Sequence, residues 1–413
     1  MKSYEIPKQL FVKAYKLVKA NAGAAGVDRQ TIEDFDRNLK NNLYKLWNRM
    51  SSGSYMPPAV LAVPIPKKSG GVRVLGIPTV ADRIAQMVVK LELEPKVEPY
   101  FLEDSYGYRP NKSALDAIEI TRKRCWKTNW VLEFDIKGLF DNIPHELLMK
   151  AVKKHTDNKW QLLYIERWLK AGMQQLDGHV TERLCGTPQG GVISPILSNL
   201  FMHYVFDKWM ERQHKGVLWC RYADDGLAHC KTKQQAERLK CELKTRFARC
   251  GLEMHPKKTK IVYCKDERRK GKHSNTSFDF LGYTFKARRC IKTGTKETFT
   301  GFNPAVSKTA QKSMRSKTKK MKWYRRSDLE LIDIARIYNP VIRGWLNYYG
   351  RFYKTEMYRV LNHFNKTLVA WAKRKYKSLR GRKTRASQFL LKIAERESHL
   401  FAHWKIGMVG TFV

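Results

Sequence analysis

Amphipathic helices and short apolar strands alternate through the first 300 residues of the chain. Residues 6–19 and 31–50 carry apolar side chains at helical spacing, and Thr31 with Asp34 three positions later has the pattern of a capping box. Residues 60–65 and 72–77 then read as strands, separated by Lys67-Lys68-Ser69-Gly70-Gly71, a hairpin with a cationic tip. Helical spacing returns over 79–97, a buried strand follows at 131–136, and a helix opens at Pro144, where a missing N–H costs nothing. Further helices are predicted over 194–213 and 233–249, with strands at 217–222, 226–230 and 260–263 and a strand-like segment at 278–285. Beyond residue 301 only helical patterns remain, over 307–322, 329–349 and 356–376, with interruptions at Asn339-Pro340 and Gly344. These carry aromatic and aliphatic stripes beside Lys and Arg faces. The pattern predicts an α+β or α/β core followed by a small helical bundle with one cationic face, and shows no internal repeat.

At 413 residues there is room for two or three packed units, and 43% hydrophobic with 12% aromatic residues suffices to bury real cores. That excludes a disordered chain and a collagen-like repeat. No run approaches the roughly 18 apolar residues a membrane span needs, and residues 1–10 lack the hydrophobic stretch of a signal peptide. A soluble protein that stays where it is made, with no membrane partner, is expected. The charge sharpens this picture: 80 Lys and Arg stand against 38 Asp and Glu, a net +42. Such self-repulsion in a compact fold calls for a polyanionic partner, RNA or DNA, whereas solubility alone needs no ratio so lopsided. Residues 301–413 hold 26 Lys and Arg against 6 Asp and Glu, which puts a boundary near Gly301. The stretch 265–276, with Arg268, Arg269, Lys270 and Lys272, reads as a basic loop rather than a linker. The 8 cysteines form no C-x-x-C pair and read as free thiols in a reducing compartment. His399 and His403 are spaced to share a helix face, but no third ligand follows them, so terminal packing is the reading preferred to a metal site.

Three constellations bear on chemistry. Tyr222-Ala223-Asp224-Asp225 lies between two apolar strands, and adjacent aspartates share one side only at a turn, which Gly226 suggests. Two carboxylates there suit a divalent cation; an ordinary Asp-Asp-Gly hairpin turn is the plain alternative. In Phe134-Asp135-Ile136-Lys137-Gly138-Leu139-Phe140-Asp141, Asp135 ends a buried strand, where a carboxylate is costly unless a cation compensates it. Two separated strand ends that each present Asp form the arrangement used for two Mg²⁺ ions. Asp141 is read as a cap for the helix at Pro144. Gly186-Thr187-Pro188-Gln189-Gly190-Gly191 precedes a helix and either approaches a base or phosphate closely or is simply a loop. Lys67, Lys68 and Arg73 form a solvated hairpin tip or a clamp on a triphosphate.

In this order the pieces resemble the reverse transcriptase encoded by bacterial group II introns, the intron protein that also acts as maturase. The resemblance covers nearly the whole chain. It runs through Ala22-Gly23-Ala24-Ala25-Gly26-Val27-Asp28, Pro64-Ile65-Pro66-Lys67-Lys68, Arg73-Val74-Leu75-Gly76-Ile77-Pro78 and Tyr106-Gly107-Tyr108-Arg109-Pro110. It continues through residues 134–144, Thr187-Pro188-Gln189-Gly190-Gly191, Tyr222-Ala223-Asp224-Asp225, Pro256-Lys257-Lys258-Thr259-Lys260 and Phe280-Leu281-Gly282-Tyr283. Ile342-Arg343-Gly344-Trp345-Leu346-Asn347-Tyr348-Tyr349 is similar to the family's maturase-specific region.

The resemblance implies an α+β right-hand polymerase. Fingers and palm with an amino-terminal extension would fill residues 1–300, a helical thumb or maturase-specific domain 301–376, and a basic DNA-binding region 377–413. It implies RNA-directed DNA synthesis in which Asp135 and Asp224 bind both Mg²⁺ ions, the Ile136 carbonyl assists and Asp225 completes the acidic site. Phe140 matches the steric gate against a ribose 2′-OH, with core packing its plain alternative. Lys67 and Arg73 match the triphosphate-binding pair, Gln189 a nucleotide-pocket residue, and Lys258 the lysine that protonates departing pyrophosphate. Arg109, Arg343, Lys377, Arg380, Arg382, Lys383 and Arg385 are the candidate contacts to RNA or DNA. Trp323, Tyr324, Trp345, Tyr348 and Tyr349 recur at helical spacing, which favours core packing over base stacking.

The implied partners are group II intron RNA, an RNA template, a DNA primer or target, and dNTPs, in a bacterial cytoplasm at the nucleoid or in a ribonucleoprotein. The sequence departs from many relatives after His403-Trp404, where no endonuclease-like cluster of Cys and His follows. Second-strand DNA cleavage is therefore not expected, and any mobility would depend on another source of primer. Two rival readings stand beside this one. An RNA-binding splicing cofactor with an idle polymerase would have no need of aspartates facing a polyanion. A non-intron reverse transcriptase of defence or retron type would lack the segment 343–349.

Overall fold

The computed structural model describes residues 3–67, 70–292, 294–295 and 297–409. The chain begins with α1 (Lys8–Ala20), α2 (Ile32–Arg37), α3 (Leu39–Ser51), β1 (Val60–Pro66), β2 (Val72–Ile77), α4 (Val80–Val97), α5 (Ala114–Lys127) and β3 (Trp130–Asp135). It continues with α6 (Leu139–Asn142), α7 (His145–Lys153), α8 (Lys159–Lys170), β4 (Met173–Gln174), β5 (Val180–Thr181), α9 (Ser194–Met202), α10 (Lys208–Gln213), β6 (Leu218–Tyr222), β7 (Asp225–Cys230) and α11 (Lys233–Arg249). After β8 (Lys260–Tyr263), β9 (Ser277–Phe280), β10 (Tyr283–Ile291) and β11 (Thr298–Val306) come α12 (Lys308–Lys320), α13 (Leu331–Tyr349), α14 (Tyr358–Lys375) and α15 (Lys383–Arg396). Two compact units result: the chain up to Ala117 with Leu132–Ile261, and Ile118–Val131 with the chain from Val262 onward.

In the first unit the predicted capping box forms, with Thr31 Oγ accepting from the Asp34 amide and Asp34 from the Thr31 amide. The helix expected over 31–50 is two helices, because Asn38 leaves helical geometry at φ −132°, ψ 46°. One sheet has the order β6-β7-β3-β8 and a second β2-β1-β4-β5. The β1–β2 hairpin is antiparallel, from Leu61 opposite Ile77 to Pro66 opposite Val72. The apolar run 194–213 is helical throughout, but one π-helical turn, His203–Asp207, joins α9 to α10.

The Phe134 ring of β3 packs 5.0 Å from Phe206 and 5.9 Å from Phe247, centroid to centroid. Gly226 lies directly beneath it, where a Cβ would overlap the ring. Gly226→Ala is thus expected to cost about 1–3 kcal/mol by overpacking. Calorimetry should register this as a fall of several degrees in Tm; an unchanged Tm would mean that the ring moves aside freely.

The second unit contains the sheet β11-β10-β9 and the carboxy-terminal helices. The segment 278–285 is a hairpin rather than one strand: Phe280 pairs with Tyr283, and Leu281 and Gly282 take φ +50° and +80°. Two adjacent left-handed residues make the tight loop that suits strand twist. Gly301 lies inside β11, opposite Arg288, so the step in charge is not a step in the fold. Helix α13 runs unbroken through Asn339-Pro340 and Gly344. Proline removes one ladder bond, but the Asn339 side chain gains two, donating to the Leu400 carbonyl at 2.9 Å and accepting from the Ala402 amide at 2.8 Å. The basic region expected over 377–413 contains α15, a helix the pattern did not announce. Trp323 is buried and Trp345 and Tyr349 pack against the same apolar core, as expected from their spacing.

Candidate active site

Tyr222 pairs with Asp225, so the loop of the β6–β7 hairpin is Ala223-Asp224, with Ala223 at φ +57°. The turn therefore precedes Gly226, which belongs to β7. Asp224 sits at the tip and Asp225 starts β7, whose neighbour β3 ends in Asp135. Asp135 is buried, and Lys258 Nζ donates to its Oδ2. The Asp135 carbonyl accepts from the His255 amide at 2.8 Å, and the Lys137 amide donates to the Glu253 carbonyl at 2.9 Å. These bonds bring the lysine-bearing turn alongside the end of β3 and enclose Ile136, which is buried.

The electrostatics follow from this crowding. Burial raises the Asp224 carboxyl above its ordinary value, and the charge on Asp135 adds to that; Arg73 and Lys258 pull it back. Burial, then Asp224 and Asp135, push Asp225 up to about 7. Burial pulls the Lys258 ammonium down, but its bond to Asp135 and the three carboxylates outweigh this and leave it raised. A carboxylate set with one buried and two half-buried members, repelling one another and with one already holding a cation, has the donor chemistry of a hard divalent metal. Among the described residues no group of three or more His, Cys, Asp or Glu side chains is placed so as to hold a metal ion by itself. Mg²⁺ needs no such group, since it usually keeps waters and takes only one or two carboxylates with substrate phosphates.

A support beneath the hairpin escaped the sequence reading. Arg221 is fully buried and forms a fork with the equally buried Asp207, Nε to Oδ1 at 2.8 Å and Nη2 to Oδ2 at 2.7 Å. The same guanidinium donates to the Ala223 carbonyl at 3.1 Å, Asn199 Oδ1 at 3.2 Å and Ser105 Oγ at 2.8 Å. Asp207 comes from the π turn, a widening that recurs at functional sites. His203, 3.9 Å from Asp207, is held down to about 4 by burial and stays neutral there. Nothing in the local sequence links Arg221 to a carboxylate 14 positions earlier.

Phe140 lies in α6 and is buried. Asp141 does not cap the next helix, whose N-cap Pro144 receives no side-chain bond. Because α6 intervenes, its carboxylate faces Gln189 instead, whose Nε2 donates to both oxygens at 3.0 and 2.9 Å. The loop that carries Gln189 is fixed on two further sides: its carbonyl accepts from the Gly76 amide of β2 at 2.9 Å, and Gln86 Oε1 of α4 accepts from the Val192 and Ile193 amides at 2.7 and 3.3 Å. Arg73, on β2, acts electrostatically on Asp224. Lys67 stands exposed at the hairpin tip, and Lys68 lies outside the described residues.

Among the candidate nucleic-acid contacts, Arg109 has a different place. Its guanidinium donates to Glu98 at 2.9 Å and to the Leu102 and Ser105 carbonyls at 2.6 and 2.7 Å, so its donors are committed inside the fold. It is a strut for the segment 102–109 rather than a free cation. Arg343 is exposed and lines a cavity of about 380 Å³ with Lys354, His399 and Lys405. Lys377, Arg380, Arg382, Lys383 and Arg385 are all exposed, and the last two sit in the first turn of α15 with no acidic residue there. His403 is buried, with Nε2 donating to Asn365 Oδ1 at 2.7 Å, while His399 is exposed, so the two stand in different surroundings. No helix among the described residues is long and apolar enough to cross a membrane.

Residues 65–285 match the reverse transcriptase (RNA-dependent DNA polymerase) family model, and residues 311–389 the group II intron maturase-specific domain. The chain is 28% identical over 436 residues to the group II intron-encoded protein LtrA of Lactococcus lactis subsp. cremoris, spanning 84% of this chain and 69% of LtrA. It is 31% identical over 317 residues to protein YkfC of Escherichia coli (strain K12), 67% of this chain and 80% of that protein. Among solved structures it is similar to telomerase from Candida albicans in complex with a fragment of telomeric RNA, with a TM-score of 0.47 and 14% identity over 92% of this chain and 68% of that one. The two family matches, to an RNA-dependent DNA polymerase and to a group II intron maturase-specific domain, make nucleic acid, RNA included, a partner of this basic chain. With more than half its length in the polymerase match and a maturase-specific domain following, the chain belongs to the reverse transcriptase family, in its group II intron-encoded branch, and is an RNA-directed DNA polymerase.

Proposed function

We propose that the corner formed by Asp135, Asp224 and Asp225 is the polymerising centre and that it copies an RNA template by extending a primer with dNTPs. The observation that carries this reading is geometric: Asp135 at the end of β3 and Asp224 and Asp225 at the start of its neighbour β7 converge, with Lys258 bonded to Asp135. Burial first, and then their mutual repulsion, keeps Asp224 and Asp225 raised. Asp135 and Asp224, with the Ile136 carbonyl, would hold two Mg²⁺ ions, which when bound supply an activated 3′-hydroxyl and neutralise charge on the departing pyrophosphate. The primer 3′-oxygen forms its bond to the α-phosphorus as the bond to pyrophosphate breaks. Lys67 and Arg73 hold the triphosphate, and Lys258 hands a proton to the leaving group. Gln189, held by Asp141, lines the nucleotide pocket.

Phe140 is the gate that a ribose 2′-hydroxyl would strike. Phe140→Ala is expected to raise rNTP incorporation relative to dNTP by on the order of tenfold or more, read from paired primer extensions. An unchanged ratio would remove the gate role. The exposed cations at Arg343, Lys377, Arg380, Arg382, Lys383 and Arg385 supply phosphate contacts to intron RNA and to DNA, with the steep salt dependence that such contacts carry. Extension of oligo(dT) on poly(rA) with dTTP and Mg²⁺ tests the reading as a whole, and failure of the wild-type protein to extend would overturn it.

A further inference from the structure

Tyr108 has no part in the scheme above, yet four observations draw it into the same corner. Its backbone is left-handed, φ +58°, a conformation that costs a non-glycine residue energy and persists only where its surroundings fix it. They do fix it. The Tyr106 amide donates to the Arg221 carbonyl at 2.9 Å, and Asn199 Nδ2 donates to the Gly107 carbonyl at 2.6 Å. Gly107 lies so close on the aspartate hairpin that a Cβ there would come within 2.5 Å of the Ala223 nitrogen. The segment is thus clamped onto the β6–β7 turn.

Tyr108 is nevertheless 53% exposed. It meets Phe140 edge to face, with centroids 6.4 Å apart and planes at 78°. Its hydroxyl is raised by burial first and then by Asp224, with Tyr222 and Asp225 adding and Arg73 opposing, so it stands in the field of the acidic corner and of β2. Two rings at nearly a right angle make a corner of fixed shape beside the carboxylates. A gate excludes a hydroxyl only if it cannot yield, and Phe140 has Tyr108 as its aromatic backstop.

We propose that Tyr108 is a positioning residue for sugar selection: its ring holds Phe140 in place against the ribose of an incoming nucleoside triphosphate. This rests on the gate reading of Phe140. The strain at position 108 is retained because it aims the ring, and the hydroxyl is dispensable for the purpose.

The test compares rNTP with dNTP incorporation on one RNA template for the full-length protein and its variants. Tyr108→Gly deletes the ring while suiting the left-handed backbone, and Tyr108→Asn, which also tolerates that backbone, is the second deletion. Both are expected to lower dNTP-over-rNTP selectivity by about three- to tenfold, the size of one aromatic edge-to-face contact. The change should appear chiefly as a lower KM for rNTP, with kcat for dNTP kept within about threefold. Tyr108→Phe is expected to retain wild-type selectivity. The Tyr108→Gly, Phe140→Ala double variant should match Phe140→Ala alone, because one residue acts through the other. If Phe140→Ala shifts the ratio and neither Tyr108→Gly nor Tyr108→Asn does, the proposal fails while the gate reading stands. If Phe140→Ala itself leaves the ratio unchanged, the gate reading fails first. A rise in base misincorporation with sugar selectivity intact would assign Tyr108 to the template base and also overturn the proposal.

Discussion

Asp224→Ala is expected to reduce extension of oligo(dT) on poly(rA) by on the order of a thousandfold or more, with affinity for RNA retained or raised. The first half follows from charge. Asp224 stands at the hairpin tip, in the field of Asp135, Arg73 and Lys258, and its loss removes one of the carboxylates proposed to hold the metal. Metal-assisted stabilisation is worth several kcal/mol, and each 1.36 kcal/mol is about tenfold in rate. The second half follows from the sign: deleting a negative charge from a protein of net charge +42 cannot weaken its attraction to phosphate. Primer extension and filter binding, run on the same preparations, separate the two. Equal extension by wild type and variant would discard the site and favour a splicing cofactor whose polymerase is idle.

Arg221→Met is expected to destabilise the protein by about 3–5 kcal/mol, because Asp207 is fully buried and would be left charged without its partner. A fall in Tm of roughly 5–15 °C should accompany it. The double variant Arg221→Met, Asp207→Leu removes both charges and is expected to recover most of the lost stability. Polymerase activity should not return with it, since the Ala223 carbonyl, Asn199 and Ser105 also lose their common donor. Calorimetry with primer extension distinguishes the outcomes. A single variant that melts within a degree of wild type would show that the fork contributes little, and a double variant with full activity would show that the hairpin needs no anchor.

Periodicity located most helices and strands because each buries one face, and that face is written into every third or fourth residue, or every second one. The Asp224-Asp225 turn and the end of β3 were legible for the same reason: polar residues abutting apolar runs mark strand ends. Interactions decided by distant chain segments were not legible. Asp141 was read as a local cap, yet it pairs with Gln189, 48 positions away. Arg109 carries the same charge as a nucleic-acid contact, and only Glu98 and two carbonyls folded around it reveal a strut. Pro340 marked a helix break that Asn339 and the terminal segment compensate. Composition misled at Gly301, since lysine and arginine density reports on the partner that a surface meets, whereas the fold boundary reports on contacts.

The hairpin at Leu281-Gly282 is gripped from α13. The Tyr348 hydroxyl donates to the Leu281 carbonyl at 2.9 Å, the Tyr283 hydroxyl donates to the Tyr348 carbonyl, and the Tyr283 and Tyr349 rings lie 5.5 Å apart. Those tyrosines belong to different family segments, one ending at residue 285 and the other beginning at 311. Chimeras that graft the maturase segment of one intron protein onto the polymerase of another therefore cannot be spliced at the family seam without mismatching this grip. A junction in the basic loop ahead of Ser277 moves the hairpin and its tyrosines together, and evolution by segment exchange faces the same constraint.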